Sequence, residues 1–170
     1  MLGSQERLAQ PLLTNHEHKT MGLLDRFTTQ LKSGQAKKVN KDVFEAIAAA
    51  FILVAAASGG ISKDELKNGQ ITLANHNKIK GAFSASDVSK IVIAYATKIE
   101  ASPMAGKAAL LREIGDLRNA EGDDSVADCE DVFLIAYDIA ASDGEVDATE
   151  TVVLKQIATK LGLTYEDYVV

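Results

Sequence analysis

The feature that most restricts this chain is a stretch that occurs twice. Ile139-Ala140-Ala141-Ser142-Asp143-Gly144-Glu145-Val146-Asp147-Ala148-Thr149-Glu150 ends an apolar run in Ser-Asp-Gly and opens a new segment with Asp-x-x-Glu. Ala55-Ala56-Ala57-Ser58-Gly59-Gly60-Ile61-Ser62-Lys63-Asp64-Glu65 echoes it, 84 residues earlier when the copies are aligned on Ser-x-Gly. Allowing for one inserted residue, Glu145, Ile61 matches Val146, Ser62 matches Asp147 and Glu65 matches Glu150. Two helix–loop–helix units with acidic loops make an internal repeat, and a repeat restricts the fold before any single motif does.

The rest of the chain points the same way. At 170 residues it is long enough for one domain with one core. Alanine is abundant, Trp is absent, and Pro11 and Pro103 are the only prolines. Alanine is the best helix former and lets helix axes approach closely. No alternating strand pattern appears. The expected fold is all-α, a single-domain bundle of about seven helices built on the helix–loop–helix repeat.

Charge is unevenly placed. The net value is −6, yet between Asn119 and Leu154 there are 11 acids and no Lys or Arg, while the remainder carries 13 acids against 18 bases. The acidic half argues against nucleic acid as a partner. Cys129 is the only cysteine, so a disulfide within the chain and a thiolate metal cluster are excluded. A small buried hydrophobe is the expected role for it. Residues 1–20 lack the apolar segment of a secretory signal. The unbroken apolar run Ala46 to Ala57 falls short of the ~20 residues that span a bilayer. A cytoplasmic location is expected.

Residues 1–21 read as a flexible tail and 22–170 as the helical domain. Asn15-His16-Glu17-His18 offers two histidines, but nothing nearby fixes the rings. Leu23, Leu24, Phe27 and Leu31 form the apolar face of a short helix, suited to packing on the domain, a partner helix or a membrane surface. Asp42 to Ala57 is apolar all round and reads as a central helix. Ser62-x-x-Glu65 is a capping box opening a helix towards Lys80, with Gly81 as its stop. Ser84-x-x-Asp87 opens the next, with Val88, Ile91, Val92, Tyr95 and Ile99 on one face. Pro103 suits a first helical turn, and Leu110, Leu111, Ile114 and Leu117 form that helix's core side, with Gly122 closing it. Asp124 or Ser125 caps a second central helix ending near Ser142. On it Asp128, Asp131, Asp138 and Ser142 share a stripe expected to face solvent. The last long helix runs from Ala148 to Leu161, with Val152, Val153, Ile157 and Leu161 inward and Gly162 at its end.

Asp143, Asp147 and Glu150 are the candidate metal ligands of the second loop. A hard cation such as Ca²⁺ takes several oxygens, and clustered carboxylates need positive charge to hold them together. Asp64 and Glu65 join them if the two loops lie side by side. The loop is not an EF-hand: counted from Asp143, position 6 is Ala148 and position 12 is Leu154, where that motif needs Gly and Glu. The competing reading needs no metal, because Asp147 and Glu150 also form a capping box and acids in a first turn suit the helix dipole. No phosphate-binding loop and no nucleophile elbow occurs. His76, the only histidine outside the tail, is expected on the surface.

Ala141-Ser142-Asp143-Gly144 followed by an acidic helix start, echoed by Ala57-Ser58-Gly59-Gly60 and its own acidic helix start, resembles the tellurite-resistance TerB and TerB-like domain family. The likeness includes Gly22-Leu23-Leu24-Asp25-Arg26-Phe27, the alanine-rich helix before Ser58 and the Leu161-Gly162-Leu163-Thr164 ending. It implies a non-enzymatic, helical stress-response protein linked to metal sensing, with the acids of its two loops as ligands. Carried over, these are Asp143, Asp147 and Glu150 with Asp64 and Glu65. A divalent cation, calcium for instance, is the expected cofactor. Other tellurite-resistance and stress-response proteins, membrane-associated ones included, are the expected partners, which extends the expected location to peripheral contact with the inner membrane. The sequence departs from the family at Gly59, where the first loop has Asp. The alternative is a structural or scaffold protein whose acidic loops are only helix caps.

Overall fold

The computed structural model describes residues 39–119 and 125–169. The tail over 1–21, the boundary at 21/22, the short helix at Leu23–Leu31, Gly122 and Asp124 all lie outside the described residues. The chain divides after Ser33, and every described residue belongs to the unit 34–170. The described residues form six α-helices and two 3₁₀ turns, with no strand among them beyond one isolated bridge between Lys80 and Phe83.

Helix α1, Lys41–Ala55, is the hub. Asn40 caps it by accepting a hydrogen bond from the Val43 amide at 2.9 Å. Its interior is an unbroken apolar run from Ala46 to Ala55, and eleven of its residues are buried. A helix apolar on all sides has to be surrounded. Helices α4 (Pro103–Arg118) and α5 (Ser125–Ala140) provide the two largest packing faces, and α3 (Ala85–Ala101) a third. The alanines at 46 and 48–50 let these neighbours approach closely, while Ile47 and Ile52 each contribute about 1.5–3 kcal/mol by burial. The two central helices of the repeat, α1 and α5, are therefore packed against each other, as the echo in the sequence predicts.

Helix α2, Lys63–Asn75, begins at the expected capping box but ends five residues before Lys80. His76 is its C-cap with extended backbone, and residues 76–83 turn so that Ile79 becomes fully buried and Phe83 stacks on Phe44 at 4.2 Å. Burying Ile79 and stacking Phe83 on Phe44 in this way is incompatible with a helix that continues along its own axis. Helix α6, Ala148–Leu161, has the expected bounds and ends at Gly162. Its buried face differs at one expected position: Val152 is 54% exposed, and Leu154 instead is fully buried beside Val153, Ile157, Ala158 and Leu161.

Cys129 is a buried free thiol, as expected. After α6, Tyr165 and Tyr168 pack on Phe133 of α5, and the Tyr168 hydroxyl donates to Glu130 Oε1 at 2.8 Å.

Candidate functional site

A groove of about 350 Å³ runs between α2 and α5 over the C-terminal end of α1. Helix spacing explains its walls. Glu65, Asn68, Gly69, Thr72, Leu73 and His76 recur every three or four residues and so form one face of α2. Ile135, Asp138, Ile139 and Ser142 do the same on α5 and the turn that follows it. Phe51, Val54 and Ala55 of α1 lie beneath, and Glu150 enters from the first turn of α6. Gly69 is required where it stands, because a Cβ there would come within 1.9 Å of the Phe51 ring. The ring closes the floor against the α2 backbone.

Both helix starts at the rim are built alike. Ser62 Oγ accepts from the Glu65 amide at 3.1 Å, and Glu65 Oε2 accepts from the Ser62 amide at 2.7 Å. At the second copy, Asp147 Oδ1 accepts from the Glu150 amide at 2.8 Å and from the Thr149 hydroxyl at 2.6 Å, while Glu150 Oε2 accepts from the Asp147 amide at 2.9 Å. Hydrogen bonds to the Thr149 side chain and the Glu150 backbone hold the Asp147 carboxyl below the usual carboxylate range. Those from Ser62, side chain and backbone, do the same for Glu65. Each box engages one carboxylate oxygen of its glutamate, and a carboxylate has two.

The five expected ligands divide accordingly. Glu65 and Glu150, matched positions of the repeat, line the same groove. Asp147 is committed to its cap, and exposed Asp64 is not among the groove residues. The Asp143 backbone ends the 3₁₀ turn Ala141–Asp143, and its side chain lies outside the described residues. Gly144 follows with φ 146°, a conformation open to glycine, and it allows the turn expected there. Among the described residues no three His, Cys, Asp or Glu side chains stand close enough to hold one metal ion. The described carboxylates thus do not make a ready coordination sphere. The Gly59 departure has a backbone counterpart: φ is 113°, which an Asp would adopt only under strain.

Two residues expected on the surface belong to this groove. Asp138 is exposed by area, yet the groove walls displace enough of its water to raise its carboxyl above the ordinary range. His76 is half-buried, and its Nδ1 accepts from the Lys78 amide at 3.3 Å. Burial first, and then the Lys78 charge, lower its pKa, while Asp131 opposes them. Lys78 is itself paired with Asp131 of α5, tying the end of α2 to that helix. A signal for both residues was present: Glu65, Asn68, Thr72 and His76 make a polar stripe on α2, and Asp138 and Ser142 a second on α5. A single sequence does not show that the two stripes face each other.

An all-α bundle with an acid-rimmed groove between the two copies of a helix–loop–helix repeat defines a class of small helical domain. The chain belongs to the TerB family: the family model described as Tellurite resistance protein TerB matches residues 44–169. No curated protein and no solved structure matches it. Among the described residues no helix is long and apolar enough to cross a membrane.

Proposed function

We propose that this TerB-family chain is a non-enzymatic stress-response module in the cytoplasm that takes up a divalent cation at its acidic loops and docks on partner proteins of the same response. The observation carrying the reading is the convergence of Glu65 and Glu150, one from each copy of the repeat, on one groove. A bound Ca²⁺ would draw on Glu150 and Asp143 first, assisted by Glu65. Because Glu65, Asp147 and Glu150 already serve as caps, an ion competes with both capping boxes, and its binding reshapes the helix starts.

The caps also support a second reading, a scaffold protein in which these acids only start helices. Calcium titration separates the two, since a ligand of the folded state raises the melting temperature with concentration. The cation reading expects a rise at millimolar Ca²⁺ that Asp143→Asn abolishes while the metal-free melt is kept. No rise with Ca²⁺, Mg²⁺ or Mn²⁺, or an undiminished rise in the mutant, sinks it and leaves the scaffold.

A further inference from the structure

Helix α2 is seated more loosely than α6, and its own residues say why. Of its 13 residues only Gly69 and Leu73 are buried. It leans on α3 and more lightly on α1, without packing extensively on α5 or α6. Its side chains bond within the helix and its cap: Glu65 with Ser62, and Asn75 to the Ile71 carbonyl. Among the described residues no hydrogen bond or ion pair joins its side chains to another helix. A helix this short is marginal by itself in water, so its seat decides whether it persists. The flanking segments are unlike each other. Before α2, a Cβ added at Gly59 or Gly60 would meet nothing within 4 Å, and Gly59 has φ 113°. After α2, the His76 cap is extended, and the turn beyond it is fixed by fully buried Ile79, by Phe83 on Phe44 and by the Lys78–Asp131 pair. A weakly seated element between a free link and a fixed end is the arrangement of a hinge.

We propose that α2 is a hinged flap. Residues 63–75 lift off Phe51 as one unit, turning about the His76 cap while the Gly59–Gly60 link gives way, and the other helices stay packed. The seat is specific. Gly69 lays the α2 backbone against the Phe51 ring, and a Cβ there would come within 1.9 Å of it. With α2 down, Phe51 is 3% exposed and Leu73 fully buried. With α2 up, the ring and Leu73 meet water, as do the Val54 and Ile135 side chains that line the groove beside them. The fold thus keeps an apolar surface hidden until α2 lifts. Segments with few buried apolar contacts open at a lower free energy than the whole structure, which puts α2 first among the described helices. Opening needs no metal, so the inference goes beyond the cation reading and does not depend on it.

Native-state hydrogen exchange of the full chain, in EDTA and at low concentrations of urea, tests this. Amides from Lys67 to Asn75 should exchange at least a hundredfold faster than the buried amides of α1 and α6. They should do so as one block with a common protection and a shallower urea dependence. Gly69→Ala drives a methyl group into the Phe51 ring, and it should speed exchange in α2 at least tenfold further while α6 stays within about threefold. The thiol of Leu73→Cys should take up a thiol reagent at least a hundredfold faster than Cys129, which is buried on α5 in the same molecule. Equal rates and urea slopes in α2 and α6 overturn the proposal, as does protection that falls off steadily from the ends of α2. Unchanged or slower α2 exchange in Gly69→Ala, or equal labelling of the two thiols, overturns it too. Should a variant fail to fold, the exchange pattern of the unmodified chain decides alone.

Discussion

The two copies of the repeat start their second helices with the same device and then put them to different use. Helices α2 and α6 each open on a capping box whose glutamate sits at the third helical position. Yet α2 buries only Gly69 and Leu73, whereas α6 buries five residues and packs on α4, α5 and α1. The cap decides where a helix begins, and the apolar stripe decides whether it joins the core. One copy contributes a core helix, and the other a wall that leaves a slot open beside it.

The contrast predicts unequal responses to equivalent damage. Leu154→Ala, at a fully buried position of α6, should cost about 2–5 kcal/mol in urea unfolding. Ile71→Ala, at a position of α2 that is 51% exposed, should stay within about 0.5 kcal/mol. Comparable losses at the two sites would mean that α2 is as much a part of the core as α6. Smaller effects come from the caps. Ser62→Ala should cost about 1 kcal/mol, seen mainly as faster hydrogen exchange near Glu65 and Leu66 with the global melt almost unchanged. Asp147→Ala should instead lower the global melting temperature, because the start of α6 cannot fray without uncovering Val153 and Leu154.

The smallest effect concerns pH. His76 has a lowered pKa in the folded chain, so its neutral form is favoured there. As pH falls through the ordinary histidine value of 6.5, the unfolded chain takes up the proton first, and this contribution to stability declines until the folded pKa is passed. His76→Gln should flatten the fall in melting temperature as pH drops from neutral through the ordinary histidine value. Glu65 and Asp147 act lower on the scale: their depressed values add stability above the usual carboxylate range that is lost as pH falls through the folded values. An unchanged slope in His76→Gln would mean that the ring at the end of α2 is open to water.

What could be read from the sequence depended on whether the cause was local. Helix α6 was bounded correctly because Asp147 and Gly162 terminate it by short-range hydrogen bonding and backbone conformation. The end of α2 falls before the one Gly81 suggests because its cause is tertiary: the chain turns after Asn75 so that Ile79 enters the core and Phe83 stacks on Phe44. Residue type alone points Val152 inward, while the three- and four-residue spacing of Leu154, Ile157, Ala158 and Leu161 puts Leu154 on the buried face instead. The site was half legible. Glu65 and Glu150 follow from the repeat, but Asp138 and His76 become groove residues only when α2 and α5 are set opposite each other across α1.

The burial of α1 on every side has a consequence for synthesis. Its counterpart in the repeat lies 84 residues downstream. At ribosomal rates of about 5–20 residues per second, roughly 4 to 17 s separate the emergence of the two. For that interval the side of α1 that α5 covers stays bare, and α4 emerges only towards its end. A chain halted near Asn119 would hold its most apolar helix uncovered on the side that α5 takes. The nascent protein should therefore depend on chaperone shielding until α5 is out, and pauses in translation between these helices should shift its yield between soluble and aggregated chains.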